Sequence, residues 1–158
     1  MTDTLADPIR PTDDEARALA RGLISQARFG ALGVIDPETG FPAVTRIALG
    51  SGPEGGLWTL VSGLSAHAHP RVSVLVGEPG AKGDPLTHPR LSLQAEALPL
   101  AAGDPRRGAA RARWLADHPK AKLYIDLGDF FFVEFRLIGG ALNGGFGRAF
   151  RLTAEDLA

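Results

Sequence analysis

The chain has 158 residues, of which 44% are hydrophobic and 22% are charged, and its formal net charge is −1. A charge so close to zero argues against a nucleic-acid binder that works through bulk electrostatics, and the absence of cysteine excludes disulfides, thiolate zinc sites and a cysteine nucleophile. The sequence has neither an apolar signal core near its start nor an apolar run as long as a membrane span. We therefore expect a cytoplasmic protein with no membrane partner, a flexible N-terminus at residues 1–11 and a single domain at residues 12–158.

The first predicted element is a helix from Asp13 to about Ala27, because Thr12 and Glu15 have the spacing of a capping box and apolar residues then recur on one stripe. After Arg28 the hydrophobic period becomes that of β-strands. Most of the later strand-like runs are bounded by turns rich in glycine and proline. The predicted strands are Phe29–Ile35, Pro42–Leu49, Leu57–Val61, Arg71–Gly77, Arg90–Leu100 and Phe130–Leu142, with a last short strand after Arg148.

A second helix is predicted to end at Asp117, with Asp104 as its cap and Pro105 at its first position, and a short helical stretch follows over residues 120–125. Six or more antiparallel strands with helices only at the edges favour a closed or nearly closed barrel. Closure also removes the exposed strand edges that a small open sheet would leave. The predicted fold is therefore mainly β with peripheral helices, built on an antiparallel barrel of six or more strands.

The segment from Gly56 to His67 carries the strongest functional signal. A strand ends there in small hydroxyl residues and a histidine, namely Ser62, Ser65 and His67. Small residues let a ligand approach the backbone, hydroxyls donate to anionic oxygens, and imidazole can add positive charge. The segment therefore fits a corner that holds a phosphate, and it fits equally an ordinary turn in which Ser65 caps a short helix.

Arg46 is the second candidate residue. Strand alternation places it on one face of its strand with Val44 and Ala48, opposite to Thr45, Ile47 and Leu49. A charged side chain among apolar neighbours is too costly to bury without a partner. Two interpretations remain open: an arginine that faces solvent, or a guanidinium that pairs bidentately with a phosphate.

Three further polar residues lie near strand ends. Lys82 follows Gly80 in a loop between two strands, where a lysine can contact a phosphate or simply face solvent. Arg90 opens the next strand, and Gln94 lies on the same face of that strand. Two interpretations of Gln94 are open: it can hydrogen-bond an amide group of a ligand ring, or it can lie on a solvent-exposed face of the strand.

The sequence names no catalytic acid, base or nucleophile. Its four histidines include no i, i+4 helical pair suited to a metal, so no metal site is predicted. The motifs of serine hydrolases, P-loop proteins and dinucleotide-binding folds are missing as well.

Four passages of the sequence, in their order along the chain, resemble the FMN-binding split-barrel proteins, a family similar to pyridoxamine 5′-phosphate oxidase. Within this family they are most similar to the haem-iron-utilization (HugZ-type) branch. The likeness extends over about residues 26–149. Its four passages are Gly40-Phe-Pro-Ala-Val-Thr-Arg-Ile; Leu60-Val-Ser-Gly-Leu-Ser-Ala-His with Pro70-Arg-Val-Ser-Val-Leu; Gly83-Asp-Pro with Pro89-Arg-Leu-Ser-Leu-Gln; and Asp129-Phe-Phe-Phe ending in Gly144-Gly-Phe-Gly-Arg-Ala149.

The resemblance implies a split β-barrel that forms a homodimer, with two FMN sites at the subunit interface. It assigns the FMN phosphate to Arg46, Ser62, Ser65 and His67. It places the backbone of Val61 against the flavin, and it lines the ribityl chain or the ring with Lys82, Arg90 and Gln94.

Two departures from the family pattern narrow the expected activity. Residues 150–158 lack the Arg-x-His signature that is associated with turnover of pyridoxamine phosphate. The chain also ends before the additional C-terminal domain of many haem-utilization relatives, and no histidine follows His118. We expect a flavin-dependent oxidoreductase of unknown substrate that lacks the classical oxidase activity. The alternative is a non-enzymatic protein that binds flavin or haem in haem-iron utilization.

Overall fold

The computed structural model describes residues 8–63 and 70–158. Its helices are α1 (Asp14–Gln26), α2 (Arg107–Asp117) and α3 (Ala154–Leu157), with 3₁₀ turns at Pro85–Thr87 and Pro119–Leu123. Its strands are β1 (Ile9–Arg10), β2 (Phe29–Ile35), β3 (Pro42–Ala48), β4 (Gly50–Gly52), β5 (Gly55–Ser62), β6 (Arg71–Val76), β7 (Arg90–Pro99), β8 (Phe130–Asn143) and β9 (Ala149–Thr153).

The strands close into a barrel that is split along one seam. Strand β2 pairs with β3 and β6, and the pairing continues through β7 and β8 to β5. Strand β5 then pairs with β4, which follows β3 after a single residue, Leu49. The ring therefore closes through the continuous β3–β4 segment. In the described residues the β4–β5 ladder ends at Gly50 and Trp58, and β3 and β5 form no ladder beyond it; this seam is the split.

Long strand β8 organises the rest of the sheet. Its first half pairs with β5, and its second half pairs on the same side with β9. The short β1 adds a parallel pair at the outer edge of β9, while the other pairings are antiparallel. The mainly β, antiparallel split-barrel fold with peripheral helices predicted from the sequence is confirmed.

Two hydrophobic cores stabilise the fold. The first fills the barrel with inward residues of alternating strands, among them Val74, Leu91 and Leu93, and is covered by α1. The second lies outside β5 and β8, where α2 packs Trp114 against Trp58 and Phe132. The second core holds the outer surface of β5 in place just before the split.

Both predicted helix starts need correction. Asp13, not Thr12, caps α1 by accepting the amide of Ala16 at 2.8 Å, because the hydroxyl of Thr12 donates instead to the carbonyl of Arg151 at 2.7 Å. Helix α2 begins at Arg107 without a side-chain cap, since the Asp104 carboxylate is engaged in a turn with the Arg106 amide and guanidinium. In each case another contact of the predicted cap residue, distant in the chain for Thr12 and local for Asp104, outcompetes the predicted capping pattern.

The C-terminal helix α3, which the sequence did not predict, is fixed by a capping box between Thr153 and Asp156. The Asp156 carboxylate accepts the Thr153 amide at 2.8 Å and lies 2.7 Å from the Arg17 guanidinium of α1. The backbone hydrogen bond and then the arginine lower the pKa of Asp156 to about 2. Asp156 therefore joins α1 to α3 as a carboxylate.

In the part of the chain that the structure describes, no helix is both long enough and apolar enough to cross a membrane.

Candidate functional site

The split between β3 and β5 brings two of the predicted strand-end features to one place. The hydroxyl of Thr59 on β5 donates to the carbonyl of Ala48 on β3 at 2.6 Å, which fixes the point where the seam begins to open. Because β3 and β5 run in opposite directions, the step from Ala48 back to Arg46 follows the same direction as the step from Thr59 on to Ser62. Arg46 and Ser62 therefore lie at the same end of the seam.

Arg46 is exposed and projects from the outer face of the barrel, as its place in the strand alternation requires. The next residue, Ile47, is 6% exposed and belongs to the barrel core. Six arginines of the described chain form ion pairs with carboxylates, whereas the guanidinium of Arg46 has no ion-pair or hydrogen-bond partner within residues 8–63 and 70–158. An unpaired cation on an apolar edge strand is suited to bind an anion.

On β5, Val61 and Ser62 differ in what they offer a ligand. Val61 is 9% exposed and its side chain belongs to the barrel core, so only its backbone is available at the surface. Ser62 is half-buried and is on the outward side of β5, the side of Trp58 and Leu60. Its hydroxyl is therefore on the same side of the sheet as Arg46. The remaining predicted residues of this segment, Ser65 and His67, lie outside the described residues.

Strand register builds an extended outer sheet face beside the split. We use this name for the outward side chains of strands β3, β2, β6, β7, β8 and β9. One row across it is formed by paired residues Arg46, Ala31, Leu75, Ser92, Ala141 and Arg151. The adjacent row is formed by Val44, Gly33, Ser73, Gln94, Gly139 and Thr153.

Small residues dominate the middle of both rows, so the backbone of the outer sheet face can be approached closely. Larger apolar residues surround them and remain exposed to solvent. Their exposed fractions are 46% for Phe29, 48% for Ile35, 72% for Val44, 43% for Leu75 and 47% for Ile138. Exposed apolar residues gathered on one face mark an interaction surface.

Three concavities lie on the outer sheet face. The first, about 360 Å³, joins Arg46 to Leu75 and to Glu78 and Pro79 of the loop after β6. The second, about 650 Å³, and the third, about 440 Å³, share Ser73, Gln94 and Ile138. The face therefore offers two adjoining depressions around Gln94 and a separate one with a cation at the edge of the sheet.

Lys82 lies in the loop that borders the Arg46 concavity, residues 77–89. The loop begins at Gly77, where φ is +103° and an added Cβ would lie 2.5 Å from the Pro89 carbonyl oxygen, so only glycine fits there. Lys82 is exposed and its ammonium group has no ion-pair partner in the described chain. Arg90 is partly committed to the loop, since its Nη1 donates to the Leu86 carbonyl at 2.9 Å.

Gln94 is not close to Arg46 in one copy of the chain. Three strand steps separate β3 from β7, which at about 4.8 Å per step is about 14 Å. The structure therefore groups Arg46 with Val61, Ser62 and the loop of Lys82 and Arg90, and it places Gln94 at the centre of the outer sheet face.

The two described histidines are both engaged. His118 stacks on Trp114 with ring centroids 4.5 Å apart, and its Nε2 donates to the Leu49 carbonyl at 2.8 Å. His88 uses both ring nitrogens within its own loop. In the described ranges, no group of three or more histidine, aspartate or glutamate side chains is placed to hold a metal ion.

Two features of the site are not predicted by the sequence: the outer sheet face and the contacts of His88. Alternation in β6 and β7 signals the outward position of Ser73, Leu75 and Ser92, but nothing local shows that these strands lie next to β2. His88 carried no motif, because its partners are backbone groups six and eight residues away.

No protein-family model matches the chain, and neither does any curated protein. Among solved structures, one shares 50% sequence identity over 94% of this chain and 98% of its own length, with a TM-score of 0.81. The protein Atu2129 of unknown function from Agrobacterium tumefaciens is 34% identical over 96% of this chain, with a TM-score of 0.77. A haem-binding protein from Mycobacterium smegmatis is 30% identical over 94%, with a TM-score of 0.78. This chain spans only 65% and 61% of the lengths of the last two.

More distant structures share the fold alone. One is a protein of the pyridoxinephosphate oxidase family from Clostridium acetobutylicum, which is 12% identical over 93% of this chain and all of its own, with a TM-score of 0.68. Another is the haem-storage protein HutZ from Vibrio cholerae, which is 17% identical over 86% of this chain and 96% of its own, with a TM-score of 0.66.

Fold and site together define a small split β-barrel protein with a ligand-sized outer sheet face. The chain shares the split-barrel fold of the pyridoxinephosphate oxidase family, and its sequence is similar to that of a haem-binding protein from Mycobacterium smegmatis.

Proposed function

We propose that this protein is a homodimeric, FMN-binding oxidoreductase whose two cofactor sites lie between the subunits. The observation that carries the proposal is Arg46, which has no partner among the described residues, at the same end of the split as Ser62 and at the edge of an exposed apolar sheet face. An anionic tail and a flat aromatic ring are the two parts of FMN, and these are the chemistries that the cation and the apolar face accept.

The residues present fit the phosphate of FMN. A phosphate monoester carries about 1.5 to 2 negative charges at neutral pH. Each charge-assisted hydrogen bond to it contributes about 1.5–3 kcal/mol. Arg46 supplies a planar guanidinium, and Ser62 supplies a hydroxyl on the same side of the sheet. With Ser65 and His67 on the segment that follows, these groups are sufficient for micromolar affinity, which requires about 8 kcal/mol.

The outer sheet face supports the dimer. Among the described residues, β3 pairs with β2 alone and lies at one end of the strand order, and Val44 on it is 72% exposed. Two copies that meet through this face would cover the exposed apolar residues and protect this edge. In such an arrangement Gln94 of one subunit would serve the cofactor held by Arg46 and Ser62 of the other, which accounts for the distance between Gln94 and Arg46.

When bound, FMN supplies the hydride chemistry of its ring, and the protein supplies binding, orientation and electrostatics. Arg46 and Lys82 neutralise the tail, and the side-chain amide of Gln94 is positioned to donate to or accept from a ring amide. The apolar residues around Gln94 exclude water from the ring face. The proposal assigns no residue to acid or base catalysis, and the substrate and electron donor stay open.

The proposal is tested on the purified full chain. We expect the protein to bind FMN with micromolar or better affinity in a fluorescence titration and to behave as a dimer in light scattering. Anaerobic addition of NADH or NADPH should bleach the flavin absorption. Absence of FMN binding would overturn the proposal as a whole. A bound flavin that dithionite reduces but neither nucleotide does would favour a carrier over an oxidoreductase.

The second candidate is a haem- or flavin-sequestering protein, and it is favoured by the 30% identity to a haem-binding protein. His88 and His118 each use Nε2 as a hydrogen-bond donor, so within the described residues neither offers that nitrogen to iron. A haem ligand would then come from His67 or His69. Haem titration decides between the two candidates. The first proposal would be replaced if wild type gave a Soret band but bound no FMN, and if that band were lost in His67→Ala and in the double variant that also carries His69→Ala.

A further inference from the structure

The loop between β6 and β7 is braced across its middle by the ring of His88. The Nε2 atom lies 2.7 Å from the Lys82 carbonyl oxygen, and the Nδ1 atom lies 3.1 Å from the Gly80 amide nitrogen. The ring also packs directly on the loop backbone, since a Cβ added at Gly80 would lie 2.8 Å from its Cε1. One side chain therefore sets the curvature of residues 80–88.

The two partners fix the protonation state of this ring. A backbone amide only donates, so Nδ1 must be unprotonated to accept from Gly80. A carbonyl only accepts, so Nε2 must carry the proton to donate to Lys82. The brace therefore requires the neutral imidazole with its proton on Nε2. A second proton on Nδ1 would remove the hydrogen bond from Gly80 and set two N–H groups against each other.

The braced loop forms one wall of the Arg46 concavity. Glu78 and Pro79, just before the brace, line that concavity together with Arg46. Between the braced residues, the Asp84 carboxylate accepts the Leu86 amide at 2.9 Å in a short 3₁₀ turn. The position of the exposed Lys82 and of the wall at Glu78 relative to Arg46 thus depends on the brace.

We propose that His88 is a positioning residue: as a neutral imidazole it sets the loop of Lys82 against Arg46 and thereby strengthens the binding of the FMN phosphate. This inference rests on the proposed function. Charged residues lie on the loop and on the elements next to it. Those on the loop are Glu78, Lys82 and Asp84; β7 contributes Arg90, and the β8–β9 turn, whose Gly145 adjoins the Thr87 carbonyl, contributes Arg148 in its ion pair with Glu15.

The test compares the FMN dissociation constants of wild type, His88→Asn and His88→Ala at neutral pH. The asparagine oxygen can accept from Gly80, whereas alanine makes neither contact of the brace. We expect His88→Ala to bind FMN about threefold to tenfold more weakly than wild type, the factor that one hydrogen bond supplies, and His88→Asn to recover part of this loss.

A measurement on the protein without FMN tests the brace independently of any variant. Nitrogen-15 NMR of the imidazoles should show His88 protonated at Nε2 and unprotonated at Nδ1 at neutral pH. The opposite tautomer would overturn the brace. Equal FMN affinity in wild type, His88→Asn and His88→Ala would overturn the positioning role and leave the proposed function intact, whereas absence of FMN binding by wild type would overturn both.

Discussion

Replacement of Arg46 by alanine separates a ligand-binding role from a structural one. The guanidinium is exposed and has no hydrogen-bond or ion-pair partner in the described chain, so its removal breaks no contact that stabilises the fold. Surface substitutions of this kind change stability by about 0.5 kcal/mol or less. We therefore expect the melting temperature of Arg46→Ala without ligand to equal that of wild type.

The effect on FMN should be large. Loss of one charge-assisted hydrogen bond to the phosphate costs about 1.5–3 kcal/mol, which corresponds to about tenfold to hundredfold weaker binding. Riboflavin, which has the same ring and no phosphate, should bind wild type and variant equally. Arg46→Lys should recover part of the affinity, because lysine restores the charge but not the bidentate geometry.

Arg151→Ala provides the matched control. Arg151 ends the same row of the outer sheet face, is also exposed, and is five strand steps from Arg46, about 24 Å at about 4.8 Å per step. Both variants remove one positive charge from the same face. Isothermal titration with FMN should show a loss only for Arg46→Ala. Equal losses would mean that the face attracts the anion through its overall charge, and unchanged binding in both would refute the phosphate site.

Three other predictions follow from the same structure. Val44→Glu, on the outer sheet face, should convert the dimer to a monomer in light scattering, whereas Leu123→Glu, at a residue that is 86% exposed elsewhere, should not; a dimer in both would place the interface on another surface. Asp156→Asn should lower the melting temperature at neutral pH, because a carboxylate whose folded pKa is lowered to about 2 stabilises the fold above its ordinary pKa of 3.8. The difference in melting temperature between wild type and variant should disappear as pH falls from about 4 towards 2. A difference that stays constant would rule out the carboxylate charge as its cause. Phe132→Ala should destabilise the second core by about 3–5 kcal/mol in urea unfolding, since Phe132 is 1% exposed, while Phe146→Ala, at 95% exposure, serves as the neutral control.

Local patterns in the sequence were sufficient for much of the fold. The alternation of polar and apolar residues located the longer strands to within one or two residues, and the turn residues at 36–40 marked the first hairpin. They failed where a distant group competed for a side chain. Thr12 was the predicted cap of α1, yet its hydroxyl bonds to the carbonyl of Arg151, 139 residues away.

For the candidate site, too, the sequence predicted one aspect correctly and another incorrectly. Alternation around Arg46 predicted that its side chain points away from Ile47 and the core, and the exposed position of Arg46 agrees with this. The sequence did not show which of the site residues lie close together in the fold. Sequence reasoning placed Gln94 in one set with Arg46, while three intervening strand steps put it at the centre of another part of the sheet.

By itself, the sequence determined which segments become strands and which side chain of each strand faces outward, because both follow from the two-residue period of an extended chain. Only the tertiary structure decided which strands become neighbours: β2 lies between β3 and β6, and β5 pairs with β8 about seventy residues later in the chain. Those pairings bring Arg46 to the split and join separate strands into the outer sheet face. They arise from burial of the barrel core as a whole, a cooperative property that no local stretch of residues encodes.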